Sequence, residues 1–151
     1  MRLLWLMERY NLHAADVLML DMVADGLENE EAAAKMGLKI GTFKSRMGRV
    51  AKIIGTGDRA GMIGWCYRKQ MFERVLSDPV TLTRREFDVL VGVTRGMSNA
   101  ELALDLDVSQ NTVRTHLTRL YGVLDARGRE HAVRRGVDTG AIRLVQRVEG
   151  Q

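Results

Sequence analysis

The apolar residues of this chain recur at helical spacing. Val113, Leu117, Leu120 and Leu124 fall four, three and four residues apart, which predicts an amphipathic helix with one buried stripe. Upstream, Phe87, Leu90, Val91 and Thr94 predict a helix that Gly96 can end by taking a left-handed conformation. Leu102, Ala103 and Leu106 predict a short helix between these two, closed by a turn at Asp107-Val108. Ala132, Val133 and Val137 predict a last helix starting near Arg129. The polar punctuation agrees. Thr83-Arg84-Arg85-Glu86 and Ser98-Asn99-Ala100-Glu101 are capping-box sequences, and Ser109 is placed to cap the helix that follows it.

The same pattern occurs seventy residues earlier. Aligned without a gap from Leu12 over Leu82 to Ile63 over Val133, ten positions are identical, among them Gly26/Gly96, Asn29/Asn99, Thr42/Thr112, Arg49/Arg119 and Arg59/Arg129. Apolar residues replace one another at Leu27/Met97, Phe43/Val113, Met47/Leu117, Val50/Leu120 and Ile54/Leu124. An internal repeat defines the structural unit. The expected fold is therefore all-α, two tandem four-helix domains over residues 1–76 and 80–151. The first copy is more poorly capped, with His13, Glu28 and Lys39 where the second has Thr83, Ser98 and Ser109. Its fourth helix is expected to run from Arg59 through Leu76 toward Pro79, because Ile63, Tyr67, Met71 and Val75 keep a four-residue spacing. Leu3 to Tyr10 should add a short helix, and Ala141 to Val148 should be helix or coil.

Composition narrows the function classes. A repeat of about 60 residues buries little core alone, so the copies should pack on each other or on a partner. The net charge of +4 permits a nucleic-acid partner without requiring one. A single cysteine, Cys66, excludes an intramolecular disulfide, and the Cys and His residues lack zinc-ligand spacing. Cys66 is expected to be a small buried residue, and Trp5 and Trp65 to serve packing. The apolar start is too short to span a membrane and lacks a cleavage site, so a cytoplasmic protein without membrane association is expected. With no phosphate-cradling loop, catalytic triad or converging carboxylates, neither an enzyme nor a cofactor is expected.

Residues 82–133 resemble the DNA-binding domain of the LuxR/GerE family. The resemblance rests on Leu82-Thr83-Arg84-Arg85-Glu86, Val89-Leu90, Gly96 through Ala103, Val108-Ser109, Thr112-Val113-Arg114, His116, Leu124, Arg129 and Ala132-Val133. Arg84 stands where the family usually has proline, and Gly122-Val123 replaces a basic pair. Repeat 1 is similar to the same family more weakly. Its Gly26-Leu27, Glu31-Ala32-Ala33 and Gly41 through Met47 also resemble region 4 of extracytoplasmic-function sigma factors. At 151 residues the sequence is expected to hold neither a receiver domain nor an autoinducer-binding domain nor a sigma region 2.

Both resemblances imply a four-helix helix-turn-helix module, so the expected fold is two tandem four-helix helix-turn-helix domains, and such a module lays the second helix of its motif in the major groove. With Val113, Leu117 and Leu120 facing the core, the groove face of repeat 2 is Gln110, Asn111, Arg114, Thr115 and Thr118. Arg114 suits guanine, and Gln110 or Asn111 suits adenine or a phosphate. The resemblance places base reading on Arg114, Thr115 and Thr118. Thr112, His116 and Arg119 are assigned to phosphate or packing. In repeat 1 the candidates are Thr42, Lys44, Ser45, Arg46 and Arg49, richer in charge and poorer in base-discriminating groups. Repeat 1 is thus expected to supply phosphate-backbone affinity and repeat 2 more of the specificity. The expected function is a sequence-preferring regulator of transcription with double-stranded DNA as partner. The resemblance also allows a homodimer through the fourth helix. The alternative is a protein-interaction regulator in which repeat 1 docks on RNA polymerase or another regulator.

Overall fold

The computed structural model describes residues 2–144. Regular structure among these residues is helical: α1 (Arg2–Tyr10), α2 (Ala14–Ala24), α3 (Asn29–Lys35), α4 (Ile40–Ile54), α5 (Arg59–Arg68), α6 (Arg84–Thr94), α7 (Asn99–Asp105), α8 (Gln110–Leu124) and α9 (Arg129–Asp138). Each end of α2 to α5 lies seventy residues before the corresponding end of α6 to α9.

The helix starts explain this agreement despite the unequal caps. In α6 and α7 both halves of the capping box are made. Glu86 accepts from Thr83 N at 2.9 Å while Thr83 Oγ1 accepts from Glu86 N at 3.2 Å. Glu101 and Ser98 repeat the exchange at 3.1 Å each way. In α2 and α3 the acidic arm survives. Asp16 accepts from His13 N at 2.7 Å and Glu31 from Glu28 N at 3.1 Å. One orphan amide is thus satisfied at each start even where the hydroxyl is missing. At the other end of α2 and α6, Gly26 (φ 82°) and Gly96 (φ 77°) sit in the left-handed region, where a side chain would be strained.

The two four-helix sets share one apolar core that includes Leu20, Phe43, Val50 and Ile63 with Leu90, Leu102, Leu120 and Val133. The seam between them is α5 against α9, with α2 also packed on α9 and α6 on α5. The approach is close. A Cβ at Gly61 would lie 2.9 Å from Gly96 Cα, and one at Gly64 would lie 2.1 Å from Thr94 O. A Cβ at Gly26 would lie 3.0 Å from His131 Cβ. Arg134 of α9 ties the sets together, donating to Tyr67 Oη at 3.0 Å, Asp25 Oδ1 at 2.7 Å and Asp21 Oδ1 at 2.6 Å. Burial opposes its charge, yet the hydrogen bonds to Asp25 and Asp21 outweigh that cost and raise its pKa.

Three expectations need correction. The fourth helix of repeat 1 stops at Arg68, well short of Leu76. Its apolar spacing continues, but Gln70 turns left-handed (φ 58°) and Met71 N bonds back to Cys66 O at 2.8 Å, closing a Schellman turn. Beyond it the chain is held on the end of α9: Val75 N donates to Asp138 Oδ1 at 2.9 Å and Ser77 N to Asp138 O at 3.3 Å. Trp65 packs edge-on against Tyr10 with ring centroids 5.0 Å apart, whereas Trp5 is 58% exposed. Phe87, at helical spacing with Leu90 in α6, is 39% exposed, and Val89 takes the buried position. Ala141 to Leu144 is non-helical, and the rest of the tail reading lies outside the described residues.

Candidate nucleic-acid interface

The second set builds the outer face of α8 from the core outward. Val113, Leu117, Leu120 and Leu124 of α8 are buried, which fixes the rotation of the helix. Gln110, Asn111, Arg114, Thr115, Thr118 and Arg119 are consequently exposed, and Thr112 and His116 are half-buried. Ser109 Oγ accepts from Thr112 N at 3.1 Å and lies 2.9 Å from Thr112 Oγ1, so Thr112 belongs to the cap. Arg114 donates to Asn111 Oδ1 at 2.8 Å, which restrains the guanidinium one turn above the helix start. The Thr115 and Thr118 hydroxyls donate to the carbonyls of Asn111 and Arg114, at 3.1 and 3.0 Å, and keep their lone pairs outward. The helix contains no acidic residue. Its positive N-terminal dipole end adds to Arg114 in favouring an anion.

The equivalent face of α4 is held by Phe43, Met47 and Val50. It exposes Gly41, Thr42, Lys44, Ser45 and Gly48, and also lacks acidic residues. Arg49 differs from its counterpart. Its guanidinium pairs with the buried carboxylate of Asp16 and reaches Asn11 O at 3.4 Å. Arg46 approaches the same carboxylate at 4.0 Å. At the matching position of α8, Arg119 is exposed, and Glu86 has no guanidinium on it among the described ion pairs. Two of the four cations on α4 are therefore drawn toward the protein. The identity of Arg49 and Arg119 conceals this divergence; the Asp16/Glu86 difference is where the sequence marks it.

A second pair of repeated identities was given no role from the sequence. Arg129 donates to Asn99 Oδ1 at 2.9 Å and also to Met97 O, fixing α9 to the turn that enters α7. Arg59 makes the matching bond to Leu27 O at 3.2 Å, but its Nε faces Glu130 at 3.6 Å. Arg129 thus ties its fourth helix to the turn before the second helix of its set, and Arg59 does the same in the first set. The signal that could have found them was the recurrence of Arg and Asn together at Asn29/Arg59 and Asn99/Arg129.

Cys66 is fully buried, and burial pushes its thiol up to about 12, so it stays protonated and unreactive at neutral pH. Among the described residues no cluster of His, Cys, Asp or Glu is placed to hold a metal, and no helix is long and apolar enough to cross a membrane.

Comparison with known proteins matches residues 80–135 to the family described as bacterial regulatory proteins, luxR family. Those residues form one LuxR-type helix-turn-helix domain. Similar curated proteins include the uncharacterized transcriptional regulatory protein YhcZ of Bacillus subtilis, 45% identical over 51 residues, covering 34% of this chain and 24% of that protein. The transcriptional regulatory protein YdfI of Bacillus subtilis is 33% identical over 75 residues, covering 48% of this chain and 35% of its own length. The HTH-type transcriptional regulator MalT of Vibrio campbellii is 40% identical over 52 residues, covering 34% of this chain and 6% of its own. The chain thus spans about a third or less of the length of these relatives.

Proposed function

We propose that this chain, with a LuxR-type domain at residues 80–135, is a sequence-preferring double-stranded DNA-binding regulator of transcription. The observation that carries the reading is the outer face of α8: an acid-free helix start where Arg114, restrained by Asn111, projects beside Gln110, Thr115 and Thr118. In a major groove Arg114 would pair with a guanine edge, with Gln110 and Asn111 beside it. Thr112 and Arg119 would hold phosphates and carry no sequence information. On α4, Thr42, Lys44 and Ser45 would add backbone affinity, with Arg46 and Arg49 contributing less because Asp16 draws them inward. The same observation favours the second reading: α4 as a docking face for RNA polymerase or another regulator, since it offers fewer free cations than its sequence promises.

A random-duplex selection tests the proposal. The full chain should enrich a motif, with affinity falling steeply as salt rises. Arg114→Ala should cost about 1–3 kcal/mol and relax the preference at one position. An enriched motif unchanged in that variant would refute base reading. Lys44→Ala should weaken all sequences alike if α4 lies on DNA; no change would favour docking.

A further inference from the structure

We infer that the chain is an internal pseudo-dimer that reads, as a monomer, two unlike DNA half-sites of opposite polarity. The inference rests on the DNA-binding reading above. Its geometric basis is independent of that reading.

A two-fold interface has a signature: if position i of one unit meets position j of the other, then j of the first meets i of the second. The contacts here obey it under the seventy-residue correspondence. Gly61 of α5 sits on Gly96 at the end of α6. Exchanging each residue for its equivalent gives His131 of α9 on Gly26 at the end of α2, which is also observed. Helix packing repeats the rule, since α5 on α6 is matched by α9 on α2, and α5 on α9 is its own partner. Outside the strict correspondence, each fourth helix also sends an arginine, from a non-equivalent position, to a carbonyl of the other set's first helix: Arg68 to Thr94 O at 3.0 Å and Arg134 to Asp21 O at 3.3 Å. A tandem repeat related by translation would show none of this reciprocity.

Two consequences follow for recognition. A two-fold rotation leaves the component of a direction along its axis unchanged. α4 and α8 therefore tilt toward the same end of the axis, and their N-terminal faces run in opposite senses across it. Two such faces on one duplex read sequences of opposite strand polarity, with centres a whole number of helical turns of about 10 bp apart. The half-sites must also differ, because Lys44, Ser45 and Gly48 stand where Arg114, Thr115 and Thr118 stand on α8. The α5–α9 seam is already filled within the chain, so one chain suffices for the whole site.

The test is the selected duplex of the full chain, its stoichiometry by sedimentation, and a set of rearranged duplexes. One chain should occupy two dissimilar elements. Inverting in place the element whose preference Arg114→Ala leaves unaltered should lower affinity at least tenfold. Arg114→Ala should alter preference only in the other element. A perfect palindrome filled by two chains would overturn the inference and leave the DNA reading standing. So would a single element whose flanks can be scrambled without loss. Salt-insensitive or absent binding to every duplex would overturn both.

Discussion

At the residue scale, the same arginine does different work in the two sets. Arg49 lies over Asp16, which is 1% exposed and has one carboxylate oxygen, Oδ1, without a hydrogen-bond partner. Removing the guanidinium strands a buried charge, and because the Arg49 side chain is 39% exposed the cost is discounted to about 1–3 kcal/mol. Arg49→Ala should therefore lower the denaturation midpoint. Arg119→Ala should leave it unchanged while reducing DNA affinity, with a shallower salt dependence. Equal stability losses in the two variants would show that Arg119 is also internal. His131 supplies a pH signature. Burial, ahead of the opposing pull of Asp25 and the repulsion of Arg135, Arg127 and Arg134, lowers its pKa below the ordinary 6.5. Its Nδ1 accepts from Arg127 N at 3.1 Å, which needs the unprotonated atom. The unfolded chain then binds more protons in the window below 6.5. The stability contribution is full above that value and lost as pH falls, at no more than about 1.4 kcal/mol per pH unit. His131→Gln should flatten this part of the pH profile in urea titrations; a profile identical to the parent would assign the slope to other groups.

At the element scale, α5 and α6 are held closer than side chains allow. Gly64→Ala would put a methyl group 2.1 Å from Thr94 O, against helix backbone that has no flexible end to yield. The substitution should cost about 3 kcal/mol or more, read as a lost or strongly shifted melting transition. Gly48→Ala, with open space around its Cβ, should be neutral or slightly stabilising through helix propensity. The helices themselves were legible because apolar periodicity and caps coincide, and in the second set the exposed face of α8 followed directly from its buried stripe. The end of α5 was illegible. Met71 and Val75 prolong the apolar spacing, and Gln70 carries no sequence mark of a left-handed residue. Asp138 in α9, distant along the chain, holds the segment that follows. The capture of Arg49 by Asp16 was hidden for a similar reason: an identical residue at equivalent positions implies an identical role only if its neighbours match.

At the scale of the whole molecule, the sets share one core, since Ile63, Cys66 and Tyr67 are buried in the same apolar cluster as Ala132, Val133 and Val137. Both tryptophans precede the second set, Trp5 in α1 and Trp65 in α5, so their fluorescence reports the N-terminal half while far-ultraviolet circular dichroism reports all helices. The two probes should give coincident urea transitions. A fluorescence change that leads or lags the helical signal would show that the sets unfold separately.

The filled seam also sets an order of events at the ribosome. α5 emerges with its apolar side complete, and α9 follows seventy residues later. At synthesis rates of about 5–20 residues per second, that side waits roughly 4–14 s for its cover. During this interval the nascent first set is an adhesive surface, and two chains on one polysome can each offer α9 to the other's α5. The seventy-residue spacing that joins the sets in one chain is thus also the delay during which neighbouring chains can exchange them.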